Sequence, residues 1–241
     1  LKGRYRRGYS VAVLVGLEAD VAVLWRVFSN VVKFGVSVRL GGARSDGKAL
    51  YSFHEAVVNA LRPVLREGVL SVVLVSPARS SYAKEFLSHV RAHHAWLAQG
   101  SSKAVFSEIV GSADSLSKVA ALTKNAAFHQ VVSETAASEG EGLVELLEKR
   151  LSASGRDALV SYSLTEIEAL IFGEWLAGKP KPELLLLTDG YLAGCRARGR
   201  LQRLMQIAAN RGVKTRIVDA ESQAGKRVAQ LGGMVLLAAV G

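Results

Sequence analysis

The chain has 241 residues, 49% of them hydrophobic, so it is too apolar to be disordered and long enough for one large core or two ordinary ones. Its net charge of +10 points to a polyanionic partner such as nucleic acid; residues 1–156 carry 20 basic against 13 acidic side chains and residues 157–241 carry 11 against 8. No apolar run reaches the ~18–20 residues that span a bilayer, and the single Cys195 excludes an intrachain disulfide, so a reducing, cytoplasmic setting with no membrane contact is expected.

Residues 1–8 form a basic segment in which Arg4, Arg6 and Arg7 alternate with Tyr5, a composition suited to gripping an RNA backbone or to a plain charged end. A start on Leu1 rather than Met suggests a trimmed or partial chain, and the apolar run from Tyr9 to Val15 is too short for a secretory signal. The runs Tyr9 to Val15, Val21 to Val27 and Val31 to Leu40 read as three closely spaced strands, hence an antiparallel meander, with Gly16 and Gly41-Gly42 as turns. Phe53, Val57, Ala60, Leu61 and Val64 recur at helical spacing, and Pro63 should kink or shorten that helix. Val69 to Val75 is a continuous buried-type strand, Tyr82 to Trp96 a helix, and Lys103 to Val110 another strand.

Gly111-Ser-Ala-Asp114 is a short loop whose Asp114 or Ser115 can cap the next helix. From Ser115 to Leu151 the pattern is helical, with breaks expected near Lys124-Asn125 and at Glu139-Gly-Glu-Gly142. Ser152-Ala-Ser-Gly-Arg156 is small and polar, the natural linker between a domain over 9–151 and one over 157–241. The second domain opens on a helix over Leu164 to Leu176. Strand, basic helix, strand, helix and strand then alternate from Leu184 to Val240, an α/β sandwich pattern.

That second domain resembles the C-terminal domain of the pelota and class-1 release-factor family. The carrying landmarks are Ala158-Leu-Val-Ser-Tyr-Ser-Leu-Thr-Glu-Ile167, the strand Leu184 to Asp189, and Glu221-Ser-Gln-Ala-Gly225 followed by Gln230-Leu-Gly-Gly233. Residues 9–151 are similar to the family's central domain. The resemblance implies a ribonuclease-H-like mixed-sheet domain followed by a domain with the fold of the kink-turn-binding ribosomal proteins. It further implies work on the ribosome beside tRNA or rRNA, and no cofactor.

Departures from the family pattern shape the functional expectation. Release factors carry Gly-Gly-Gln on the central domain, where the glutamine helps position the water that attacks the peptidyl ester. The corresponding loop here is Gly111 to Asp114, and Gly-Gly-Gln occurs nowhere in the chain, which is the pelota pattern. Where pelota relatives often read Gly-Pro-Gly-Phe, a turn associated with an elongation-factor-like GTPase, this chain reads Ser76-Pro77-Ala78-Arg79, which puts that partner in doubt. Nothing ahead of residue 9 corresponds to the family's N-terminal Sm-like domain. The expectation is a non-catalytic, pelota-like factor in ribosome rescue or mRNA surveillance. The alternatives are an RNA-binding relative with a non-ribosomal target and a diverged peptidyl-tRNA hydrolase.

Between Gly190 and Val218 lie seven basic residues and no acidic one. On a helix Arg196, Arg200 and Arg203 would fall at i, i+4 and i+7, aligning guanidinium forks that suit phosphate; an ordinary solvated helix face has the same look. Lys118 and Lys124 flank the 111–114 loop and would face tRNA if the domain docks as its relatives do. No catalytic set is evident: Asp114 and Ser115 have no positioned base, and Gly41-Gly42 lacks a nucleotide-binding context. His89 and His93 could share a helix face, but with no companion cysteine and no further ligand in view a solvated helix end is expected and no metal site. Trp25, Trp96 and Trp175 read as core or interface anchors.

Overall fold

A computed structural model of the chain describes residues 9–29, 31–99, 103–152, 158–175 and 180–240, which fall into two compact units. The basic segment with Arg4, Arg6 and Arg7, and linker residues 153–156, lie outside the described residues.

The first unit is built on a five-stranded sheet in the order β3-β2-β1-β4-β5, formed by β1 (Ser10–Leu17), β2 (Val21–Phe28), β3 (Val32–Arg39), β4 (Ser71–Ser76) and β5 (Val105–Val110). The first three strands form the antiparallel meander, while β4 joins β1, and β5 joins β4, in parallel. This is the ribonuclease-H-like arrangement. Successive side chains of a strand point to opposite faces, so β1 sends Val13, Val15 and Leu17 to one core and Ala12 and Leu14 to another. The first core is closed by α1 (Gly47–Arg66) and α2 (Tyr82–His93), through Val57, Leu61, Phe86 and Val90. The second is closed by Val119 of the helix Leu116–Leu122 (α4, after the short α3 at Ala95–Ala98) and by Phe128 and Val132 of α5 (Ala126–Ser152). Burial on both faces explains why β1 and β4 are continuously apolar rather than alternating.

Neither of two expected interruptions ends its helix. Helix α1 runs through Pro63 to Arg66: Leu61 and Leu65 stay buried on either side of the proline, and that packing outweighs one lost hydrogen bond. Helix α5 is continuous across Glu139-Gly-Glu-Gly142. Buried Glu139 accepts a hydrogen bond from the Ser71 hydroxyl, Leu143 and Leu147 are buried, and Gly140 lets Ala224 approach closely, so packing on both sides offsets the poor helix propensity of glycine. The break near Lys124-Asn125 is present, as the turn between α4 and α5.

The second unit contains a four-stranded sheet in the order β6-β9-β7-β8, from β6 (Ala158–Ser161), β7 (Pro180–Thr188), β8 (Lys214–Val218) and β9 (Met234–Val240). β7 sends Leu185 and Leu187 to a core closed by α6 (Leu164–Phe172) and α8 (Arg198–Asn210). It sends Leu184 and Leu186 to the opposite core, closed by Leu143 and Leu147 of α5 and by α9 (Gln223–Gln230). The result is the expected α/β sandwich. Leu231-Gly-Gly233 turns with both glycines at positive φ, and a side chain on Gly233 would strike the Tyr191 ring.

Candidate nucleic-acid interface

The 111–114 loop is short because it is held on several sides. Gly111 donates its N–H to the Ser76 carbonyl at 2.9 Å, and the Trp25 indole donates to the Ala113 carbonyl at 2.7 Å across 88 residues of chain. The Ser112 hydroxyl donates to the Glu18 carboxylate. Lys118 reaches back to Asp114 at 2.6 Å and to the Ser112 hydroxyl at 3.2 Å. That hydrogen bond from Lys118 is the main reason the Asp114 carboxyl sits below the usual carboxylate range. The expected side-chain cap is not formed: Ser115 occupies the N-cap of α4 in an extended conformation without a capping hydrogen bond, its hydroxyl 3.3 Å from Ser117 Oγ, and the Asp114 carboxylate is engaged by Lys118. Lys118 and Lys124 are both exposed, the first beside the loop and the second in the turn after α4. Val110 and Leu116, 69% and 64% exposed, flank the same loop.

In the second unit the arginines do not form the single helical row expected. After β7, Asp189–Gly194 make a short helix (α7) that ends at Cys195, and α8 starts only at Arg198. Arg196 therefore lies in the intervening turn, while Arg200 and Arg203 share α8. The break follows from local capping: Thr188 Oγ1 accepts from the Tyr191 N–H at 3.0 Å, starting a helix too soon for α8 to extend back to it. Arg200 makes a two-pronged pair with Glu168 of α6, at 3.2 and 2.5 Å. Arg203, exposed, lies with its guanidinium 5.6 Å from the Phe172 ring.

Other members of the basic run serve the fold. Arg198 donates to the Ala193 carbonyl at 2.8 Å, closing α7. Arg211 donates to the carbonyls of Ile171 and Gly173 at 2.5 and 2.6 Å and stacks 4.1 Å from the Trp175 ring, satisfying the end of α6. Arg196 has no ion-pair partner among the described residues. Among the described residues of these two places, Lys124, Arg196 and Arg203 face solvent without an ion-pair partner, and Lys118 faces solvent while paired with Asp114.

The Ser76-Pro77-Ala78-Arg79 turn closes with the Ser80 N–H and hydroxyl on the Pro77 carbonyl, and holds Arg79 in the left-handed region at φ 62°. At the head of the second unit, Asp189 Oδ1 accepts from the N–H groups of Gly190 and Ala220, both at 2.8 Å. The Thr-Asp-Gly turn is therefore tied to the loop that leads into α9. Trp25 is a core residue as expected, whereas Trp96 is 47% exposed, since α3 ends in a surface turn. The histidines also depart from expectation: His93 is exposed, but His89 and His94 are buried, because the α2 end turns in against α1.

No family model matches the chain. Its sequence is 23% identical over 224 residues to the pelota homolog of Pyrococcus furiosus, covering 91% of this chain and 58% of that protein. The chain is similar to pelota through both units. Among solved structures, S. cerevisiae Dom34 superposes with a TM-score of 0.51 at 18% identity over 97% of this chain and 65% of that one. It is described as a translation termination-like factor involved in RNA quality control and interacting with Hbs1. Archaeal pelota, bound to the ribosome with ABCE1, gives 0.51 at 18% identity over 95% and 61%. The chain thus spans about three fifths of the length of the pelota relatives it matches, and at this identity the structural likeness speaks for the fold alone.

Proposed function

We propose that the chain is the two-domain body of a non-catalytic, pelota-like translation factor that binds the ribosome beside tRNA or rRNA in ribosome rescue or mRNA surveillance. The observation that carries this reading is the 111–114 loop. In a chain similar to pelota over 224 residues, the position where release factors carry Gly-Gly-Gln is a four-residue loop held by Trp25, Glu18 and Ser76. Its Ser112 hydroxyl is engaged by Glu18 and its Asp114 carboxylate by Lys118, contacts that in this reading hold the loop in shape. Lys118 and Lys124 would contact the RNA backbone from the first domain, and Arg196 and Arg203 from the second, with Arg4, Arg6 and Arg7 adding to the grip. Arg200 contributes less, since leaving Glu168 would strand a mostly buried carboxylate. The domains are taken as 9–151 and 157–241 with 152–156 between them. An elongation-factor-like GTPase is a second partner to test, because the turn that would meet it carries Ala78-Arg79 in place of Gly-Phe.

The test is co-sedimentation with ribosomes at graded salt. Contacts to phosphate release counterions, so affinity falls steeply with salt. Pelleting at low salt that weakens in Lys118→Glu and Arg203→Glu variants supports the proposal; failure to pellet at low salt overturns it. Release of peptide from peptidyl-tRNA above background would contradict the non-catalytic part and favour the diverged hydrolase.

A further inference from the structure

Outside the proposed RNA contacts, one cluster of side chains in the first unit has no part in that function. Glu55, on the second turn and a half of α1, points Oε1 at two imidazoles: His94 Nε2 at 2.7 Å and His89 Nε2 at 3.1 Å. The three ligand atoms lie within 4.8 Å of one another. His89 and His94 are 8% and 5% exposed, on the last turns of α2 and just past its end. Around them stand Tyr51, edge-on to His89 with ring centroids 5.0 Å apart, and His54, 5.1 Å from His89.

We propose that Glu55, His89 and His94 form a binding site for a zinc ion, with the fourth position left to water. Two features favour an ion over a mere hydrogen-bonded clasp. The donor set, two imidazole nitrogens and one carboxylate, is a known three-ligand zinc set that keeps one position open. The spacing is close to what an ion needs: four ligands at about 2.0–2.1 Å in a tetrahedron stand about 3.3 Å apart, so the Glu55 pairs at 2.7 and 3.1 Å open slightly while the two imidazole nitrogens, within 4.8 Å of each other, draw in around the ion.

Each Nε2 that donates to Glu55 gives up its proton on metal binding, and the ring becomes the Nδ1–H tautomer through exchange with solvent. The ion would then fasten α1 to the end of α2. Binding gives the folded state free energy that the unfolded chain lacks.

The experiment uses the full chain without a polyhistidine tag, stripped with chelator, equilibrated with micromolar zinc chloride and dialysed, with bound metal measured by mass spectrometry. The expected result is one zinc per chain, and cobalt substitution giving the intense visible bands of a tetrahedral site. Glu55→Gln, which keeps shape and an acceptor oxygen, and His94→Gln should each weaken binding at least tenfold, given that even outer-shell partners are worth about 10- to 100-fold. His129→Ala, on exposed α5, should bind as the parent does. Sub-stoichiometric zinc in the parent chain, or unchanged affinity in a folded Glu55→Gln variant, overturns the proposal and leaves the trio a hydrogen-bonded clasp.

Discussion

Gly225→Ala should be among the most damaging single-methyl additions in the second unit. Gly225 is buried in the first turn of α9, where its N–H donates to the capping Ser222 hydroxyl at 3.0 Å. A Cβ at this position would lie far inside contact distance of the Asp219 carbonyl oxygen, and 2.7 Å from both the Asp219 carbonyl carbon and the Ala220 Cα. Those are backbone atoms, and the turn that contains them cannot swing away. Ala220 is tied to Asp189 at 2.8 Å, and Asp219 accepts from Ser222 N at 3.1 Å and from the Ser222 hydroxyl at 2.6 Å. Relief of the overlap therefore costs overpacking of about 3 kcal/mol and two turn or cap hydrogen bonds, about 2 kcal/mol together. The intrinsic helix preference of alanine returns about 1 kcal/mol. The net loss is about 4 kcal/mol, which lowers the midpoint of a domain of this size by roughly 15–30 °C. Gly142→Ala is the paired control. Nothing lies within 4 Å of the added methyl in the interior of α5, so it should stabilise by about 0.5–1 kcal/mol. Thermal and urea denaturation followed by circular dichroism read both. Gly225→Ala within about 1 kcal/mol of the parent, or equal losses in the two variants, would refute the reasoning.

Trp25→Phe keeps most of the ring volume but removes the indole donor from the buried Ala113 carbonyl, and should cost about 1–3 kcal/mol in urea titration; no loss would mean that the loop is held without it. Arg79→Gly should stabilise by up to about 1 kcal/mol by relieving the left-handed backbone, whereas Arg79→Val should destabilise; thermal melts of the two variants check the sign. Asp114 has a lowered carboxyl, mainly through Lys118, so its contribution is present above the unfolded-state carboxylate range and fades as pH falls through the folded-state value. The pair is partly exposed, so the stability difference between the parent and Asp114→Asn should be under about 1 kcal/mol at pH 7 and vanish in strong acid; a difference that grew on acidification would contradict the sign.

Much of the fold could be read in the sequence because it is written locally. The unbroken apolar runs of β1, β4 and β7 mark strands covered on both faces, and the spacing of Phe53, Val57 and Leu61 marks the buried side of α1. What could not be read depends on residues far apart in the chain. Glycines 140 and 142 look like a helix break until Ala224 is seen against Gly140 and Leu143 and Leu147 are seen buried on the turns that follow. His89 looks like part of a solvated helix end because its partner, Glu55, is contributed by another helix more than thirty residues earlier.

The same separation governs the charge. Seven basic residues with no acid between Gly190 and Val218 suggest a phosphate-binding row, yet the acceptors of Arg200 and Arg211 lie on α6, thirty residues and more upstream. A guanidinium that closes a helix end over Trp175 cannot also meet a phosphate without reopening that end. Neutralising Arg211 should therefore lower stability and leave the salt dependence of ribosome pelleting unchanged. Neutralising Arg203 should do the reverse and reduce that slope by about one phosphate contact. If both variants shifted the slope equally with no change in melting, the division between fold-holding and RNA-facing arginines would be wrong, and the whole run would act as one electrostatic surface.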